Sequence, residues 1–188
     1  MTDEKKAYDI IFTGKENKVS QMNWIDRQWN FEDAAMNYDR NVSTLNDTVK
    51  IFLEMIADIP AEKLKLKPSG KWSINEHARH LLTMESLWIA RLDDFVMGSK
   101  TLRPWNGTNA DTDAGGFNQQ RIRKVLEDFR DVRSAHTQML LDFSNKSKSY
   151  QCYHERLEHS MTLADHVHFI VAHDLHHLQI VRNLSGKP

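Results

Sequence analysis

Apolar residues recur at three- and four-residue intervals in four stretches of this 188-residue chain, as they do on the buried face of an amphipathic helix. Between these stretches there is no convincing run of alternating apolar and polar residues, which is the pattern of a half-buried β-strand. The pattern therefore predicts an all-α protein with the architecture of a four-helix bundle. The predicted helices cover residues 39–59, 73–96, 118–143 and 162–184.

Two of the predicted helices begin at capping boxes. Ser73 is followed three residues later by Glu76, and Thr162 is followed by Asp165. In such a box the hydroxyl accepts a hydrogen bond from a backbone N–H of the first turn, and the acidic side chain accepts one from the N–H of the cap residue. The box at Ser73 is the strong start signal, and the box at Thr162, with Asp in place of Glu or Gln, is the weaker one.

We predict one domain over residues 1–188, with an N-terminal arm (1–38) and the bundle (39–188). The arm is polar apart from three aromatic residues, Trp24, Trp29 and Phe31, which we expect to pin it onto the bundle.

Two of the connections are long for a bundle. Residues 98–117 are polar and glycine-rich, and a loop of this length is usually functional or mobile. Trp105 within it either anchors the loop or caps a pocket. Residues 144–161 are expected to hold at most a short irregular element.

Composition excludes several classes of protein. The net charge of −1, from 25 basic and 26 acidic residues, argues against nucleic acid or an anionic membrane as the main partner. No apolar signal segment or membrane-spanning stretch is visible, so a cytoplasmic location is expected. Cys152 is the single cysteine, which excludes an internal disulfide and a cysteine-built zinc site.

Histidine is the outlier, since there are 10 and six of them fall between His159 and His177. His173 and His177 are four residues apart in the last predicted helix, so their imidazoles lie one turn apart and are able to converge on one ion. Neutral imidazole suits Zn, Ni, Cu or Fe. The alternative is that these histidines satisfy ordinary hydrogen bonds on a half-buried face.

A third ligand is available on the second predicted helix. His80 lies at the edge of its buried arc, and His77 lies about 60° away around the helix. Either one would meet the pair on the last helix if the two helices are neighbours. Three histidines and a water form a metal site of the catalytic type, whereas a structural site closes all four positions with protein.

Two motifs resemble those of the DinB/YfiT-like superfamily. The run WSINEHARHL at 72–81, followed by Glu85, resembles the second-helix motif, and HDLHHLQI at 173–180 resembles the fourth-helix motif. The resemblance implies a four-helix bundle in which His80, His173 and His177 hold a divalent metal, with zinc or nickel favoured. In many members a glutamine stands seven positions after the first histidine of the second motif; here Gln179 is one position early and Ile180 takes its place, facing the pocket.

Other polar residues interrupt the apolar faces. Glu85 on the second helix, and Arg133 and His136 on the third, predict a buried ion pair in which Glu85 or Asp174 meets Arg133 or Arg182. The alternative is that Arg133 or His136 contacts substrate while an acid orients a ligand imidazole. His166 is expected in the core, with His77, His136 and His166 as candidates to line the pocket. Four histidines are expected to face water or loops: His154, His159, His168 and His176.

The resemblance implies a metal-dependent enzyme acting on a small molecule, either a hydrolase or a transferase or isomerase that uses a low-molecular-weight thiol. The alternative is a non-catalytic bundle that binds metal for stability, sensing or sequestration. The sequence identifies no general base. A homodimer is compatible with a small bundle, although no sequence feature indicates one.

Overall fold

The computed structural model describes residues 24–105, 109, 112 and 116–186. Four long helices form the predicted all-α bundle, which is confirmed. The first helix ends at Ile56 rather than at residue 59, because the following residues form a turn before Pro60, and the position before a proline disfavours helix. The third begins at Ile122 rather than at 118, because Phe117–Gln119 form a separate 3-10 turn. The helices are α1 (Tyr38–Ile56), α2 (Ile74–Val96), α3 (Ile122–Leu141) and α4 (Leu163–Ser185).

Both predicted capping boxes are present. The Ser73 hydroxyl accepts a hydrogen bond from the Glu76 backbone N–H at 3.2 Å, and Glu76 accepts one from the Ser73 N–H at 2.8 Å. Thr162 and Asp165 exchange the equivalent bonds at 3.1 and 2.8 Å. These caps fix the first turns of α2 and α4, the helices that carry the candidate ligands.

Helices α1 and α2 lie diagonally across the bundle, since each packs mainly against α3 and α4. The connection between them contains a single-turn helix, Ala61–Leu64, and a 3-10 turn, Pro68–Gly70. Helices α2 and α4 are therefore neighbours, which is the condition that a shared histidine site requires. No helix in the described part of the chain combines the length and the apolar character needed to span a bilayer.

A short antiparallel hairpin precedes α4, where the sequence predicted no strand. Its strands are β1 (Gln151–His154) and β2 (His159–Thr162), with Cys152 paired to Met161. Strands of four residues are too short to show a clear alternation, and this one depends on tertiary contacts. The backbone of Tyr153 bonds to Lys100 and Leu102, and the buried thiol of Cys152 donates to the carbonyl of Asp94. The hairpin is thus fixed against the end of α2.

The aromatic residues of the arm pack on the bundle, as predicted, against α4 and β2. The Trp24 and Trp29 rings lie 5.0 and 4.8 Å from the Phe169 ring, and Phe31 stacks on His159 at 5.2 Å. The rest of the arm, residues 1–23, lies outside the described residues, as does most of the 106–115 stretch in the long loop.

Candidate metal centre

The structure brings His80 of α2 together with His173 and His177 of α4. One nitrogen from each imidazole lies within 4.8 Å of the other two, and all three residues are buried. His80 Nε2 and His173 Nε2 are 3.1 Å apart. Two imidazole nitrogens on one tetrahedral zinc ion are about 3.3 Å apart, given Zn–N bonds of about 2.0–2.1 Å. The donor set therefore fits a small divalent cation.

The protonation state of these imidazoles favours metal binding. Burial, followed by the neighbouring His173 and His77, lowers the pKa of His80 to about 2. Burial also holds the pKa of His177 well below its usual value. Both imidazoles are neutral near pH 7, and the neutral ring offers the nitrogen lone pair that a metal needs.

His77 contacts the cluster from the first turn of α2 without joining it. Its Nδ1 lies 2.9 Å from Nδ1 of His177, so one of the two nitrogens donates and the other accepts. When His177 donates, its Nε2 is left unprotonated and available as a ligand. Burial lowers the pKa of His77 to about 4, so this ring is neutral near pH 7 and has one nitrogen free to accept a hydrogen bond. His77 is thereby placed to orient a candidate ligand imidazole.

Asp174 lies behind the cluster, on the side away from solvent. Its Oδ1 is 3.6 Å from Nδ1 of His173, slightly longer than a hydrogen bond. Its Oδ2 accepts hydrogen bonds from Arg133 Nη1 at 2.6 Å and from the Thr48 hydroxyl at 3.0 Å. A carboxylate beside the second nitrogen of a ligand imidazole favours the tautomer that leaves the first nitrogen free.

The predicted buried ion pair is present, and it forms part of a network in which Arg133 bonds to both Glu85 and Asp174. Arg133 Nη2 donates to Glu85 at 2.7 Å, and His136 Nδ1 lies 3.0 Å from the other oxygen of Glu85. Burial is the largest influence and raises the pKa of Glu85 and of Asp174. The Arg133 guanidinium, together with His136 beside Glu85 and His173 beside Asp174, holds both pKa values below their usual range. Arg133 and His136 are fully enclosed, so the alternative in which either one contacts substrate is wrong.

A cavity of about 500 Å³ adjoins the three histidines. This volume lies within the range of small-molecule sites. Five aromatic side chains line the cavity. Trp105 is one of them and also packs against the core, so the two interpretations of that residue, anchoring the loop and bordering a pocket, are both met. The aromatic residues of the wall are Trp24, Trp72, Trp88, Trp105 and Phe169.

Several sequence-based assignments of the remaining histidines need correction. His154 and His176 were expected to face water or loops, but both line the cavity. His154 arrives there on β1, an element that the sequence did not predict, so no helical wheel was able to place it. The three candidates to line the pocket, His77, His136 and His166, are not among the residues that line the cavity. His136 and His166 are enclosed in the core, and both ring nitrogens of His166 lack a partner among the described residues.

Four histidines were expected to face water or loops, and two of them remain to be placed. His159 is exposed as expected, whereas His168 is half-buried against Phe31 of the arm.

The last two residues of the fourth-helix motif, Gln179 and Ile180, behave only partly as predicted. Gln179 bonds to Asn183 on the surface at 3.0 Å. Ile180 is half-buried but is not among the residues that line the cavity, so its predicted position facing the pocket is wrong. Ile180 lies three residues beyond His177, about 4.5 Å farther along the helix axis, and is thus past the cavity wall.

Comparisons with known proteins agree with this architecture. YfiT from Bacillus subtilis, described as a probable metal-dependent hydrolase with an unusual four-helix bundle topology, superposes with a TM-score of 0.69 at 16% sequence identity. The match covers 86% of this chain and 91% of that one. No curated protein matches the sequence. The family model of the DinB superfamily matches residues 44–181, so this chain belongs to the DinB superfamily.

Proposed function

We propose that this protein is a metal-dependent hydrolase of a small molecule, with zinc or nickel held by His80, His173 and His177. One observation carries the proposal: three buried imidazoles converge on the wall of a cavity large enough for a substrate. Among the described residues, no fourth histidine, cysteine or carboxylate joins the group. A site with three protein ligands leaves a position for water or substrate, which distinguishes a catalytic site from a structural one.

A divalent ion in such a site supplies Lewis acidity and activates water for hydrolysis. The protein's own residues have separate tasks. His77 orients the His177 ring through the 2.9 Å contact, and Asp174 stands beside the outer nitrogen of His173. The Trp72 ring packs 4.8 Å from the His80 ring and shields it from bulk water. Together these contacts hold the three rings in place before any ion binds.

The fold shared with YfiT supports the proposal, since that protein is described as a probable metal-dependent hydrolase. The likeness at this identity concerns the fold, so the reaction rests on the site itself. The geometry offers no comparable support for a thiol substrate, because no feature of the cavity is specific to a sulfur-bearing ligand.

The test is the metal content and ester hydrolysis of His173→Ala beside a matched control, His159→Ala. His159 is exposed and lies outside the cavity. We expect the unaltered protein and the control to hold one equivalent of metal by elemental analysis, and His173→Ala to hold none while keeping its helical circular dichroism. Hydrolysis of a panel of 4-nitrophenyl esters and anilides is expected to stop on chelation and to return with added Zn²⁺ or Ni²⁺.

Full metal retention by His173→Ala would refute the assignment of the ligands. A second outcome would confirm the ligands but contradict the hydrolase activity. In that outcome the protein binds one equivalent of metal and its melting temperature rises, but it turns over no ester or anilide. That result would favour a non-catalytic metal-binding bundle.

A further inference from the structure

The end of the cavity away from the three histidines carries a buried positive charge. Arg91 of α2 lines this end and is 3% exposed, and its Nε donates to the carbonyl of Arg103 at 3.0 Å. Among the described residues no carboxylate oxygen lies within 4.0 Å of its guanidinium, and the nearby Asp94 is already bonded by Arg103 at 2.7 Å. Burial lowers the pKa of Arg91 to about 10, so it remains charged near pH 7. Asp94 offsets the charge of Arg91 only through space, without a direct bond. A buried charge with no directly bonded carboxylate is costly, and an anionic ligand would relieve that cost.

The hairpin adds a hydrogen-bond donor beside Arg91. Nδ1 of His154 accepts a hydrogen bond from the Leu157 backbone N–H at 3.2 Å, so in the neutral ring Nε2 carries the proton and donates. Burial, followed by the charge of Arg91, lowers the pKa of His154 to about 4, which keeps the ring neutral. Arg156 and Glu155 lie at the exposed rim, so the polar groups at this end are predominantly donors.

Trp88 lies between this end and the candidate metal ligands. Its ring centroid is 5.5 Å from the Arg91 guanidinium carbon and 5.5 Å from the centroid of the His173 ring. The two polar ends are therefore separated by no more than twice that distance, with an aromatic surface between them. A small molecule with an oxyanion at one end and a short apolar segment matches this arrangement.

We propose that Arg91, assisted by His154, binds a carboxylate or phosphate group of the substrate. The inference deepens the proposed function, on which it rests for the reaction at the other end of the cavity. An arginine is suited to this task because its planar fork of N–H donors matches two oxygens of either anion.

The test is direct binding rather than turnover. Phenylacetate, phenyl phosphate and the neutral phenylacetamide are titrated against the full-length protein, as purified and after chelation, with tryptophan fluorescence as the signal. In the metal-free protein we expect at least one anion to bind ten times more tightly than the amide. The stronger of the two anions identifies carboxylate or phosphate as the preferred group.

Arg91→Met is expected to weaken anion binding at least tenfold and to leave the amide unchanged, whereas the exposed Arg130→Met has no effect. Arg91→Gln, which keeps a donor for the Arg103 carbonyl, is the second variant should Arg91→Met fail to fold. The proposal is overturned if neither anion binds the metal-free protein, or if both uncharged variants bind anions as the unaltered protein does. Since no metal takes part, this failure is distinct from loss of metal or of hydrolysis.

Discussion

Replacing Arg133 by methionine removes the cation that Glu85 and Asp174 share in the centre of the bundle. The guanidinium lies 2.7 Å from Glu85 Oε1 and 2.6 Å from Asp174 Oδ2, and each of the three side chains is at most 2% exposed. Methionine fills similar volume without charge, so packing changes little. Two buried carboxylates are left without their cation, and breaking a buried pair in this way typically costs about 3–5 kcal/mol.

The loss of stability in Arg133→Met depends on pH. In the variant, one of the two carboxylates is able to lose its charge by taking up a proton. The ordinary pKa of a carboxylate is near 4, so protonating it at pH 7 costs about 4 kcal/mol, at about 1.4 kcal/mol per pH unit. In the variant the folded-state pKa of that carboxylate is raised above its unfolded value, so the folded state binds the extra proton. Its stability deficit therefore shrinks as the pH falls, to about 1.4 kcal/mol at pH 5.

The assay is urea unfolding of chelated protein, followed by circular dichroism at pH 7 and pH 5, so that bound metal does not contribute. Arg130→Met is the matched control on the same helix, because Arg130 is exposed and an exposed ion pair contributes little. A triple variant, Arg133→Met with Glu85→Gln and Asp174→Asn, removes all three charges and should recover much of the loss.

Two results would refute this reasoning. The first is an Arg133→Met protein within 1 kcal/mol of the unaltered protein at pH 7. The second is a triple variant no more stable than Arg133→Met, since the loss would then come from packing rather than from uncompensated charge.

Two further predictions concern histidines around the site. His77→Phe removes the hydrogen-bond partner of His177 and should weaken metal binding by about 10- to 100-fold in a chelator competition, whereas His159→Phe should not. His166 has a folded-state pKa well below 6.5 because of burial and the charge of Arg91, so it contributes stability that is lost as the pH falls below 6.5. His166→Leu should reduce the slope of unfolding free energy against pH between pH 6.5 and 5 by up to about 1.4 kcal/mol per pH unit; an unchanged slope would contradict the assignment.

The sequence predicted the helices because their signals are local. The capping boxes at Ser73 and Thr162 and the apolar periodicity of each helix depend on residues within a few turns of one another. The hairpin was missed for the opposite reason: β1 is held by the backbone of Lys100 and Leu102, some fifty residues away in the sequence. No window of the sequence contains that contact.

The same contrast applies to the site. His173 and His177 share a helix face, so their convergence follows from the spacing, and His80 follows once α2 and α4 are neighbours. His154 and Arg91 meet only because the hairpin docks at the end of α2. Their meeting depends on two tertiary contacts that spacing does not encode, and the cationic end of the cavity was therefore not predictable from the motifs.

The ion network also explains how helices without a ligand contribute to the site. Thr48 of α1, Glu85 of α2 and Arg133 of α3 meet Asp174 of α4 through a chain of bonds, and Asp174 is the immediate neighbour of His173. An apolar core would hold these helices together equally well, but it would leave their rotation less restricted than directional bonds of 2.6–3.0 Å do. The triple variant should therefore affect stability and the position of His173 differently. It recovers unfolding free energy, but it lacks the charged contacts that fix His173. Its metal affinity should stay below that of the unaltered protein.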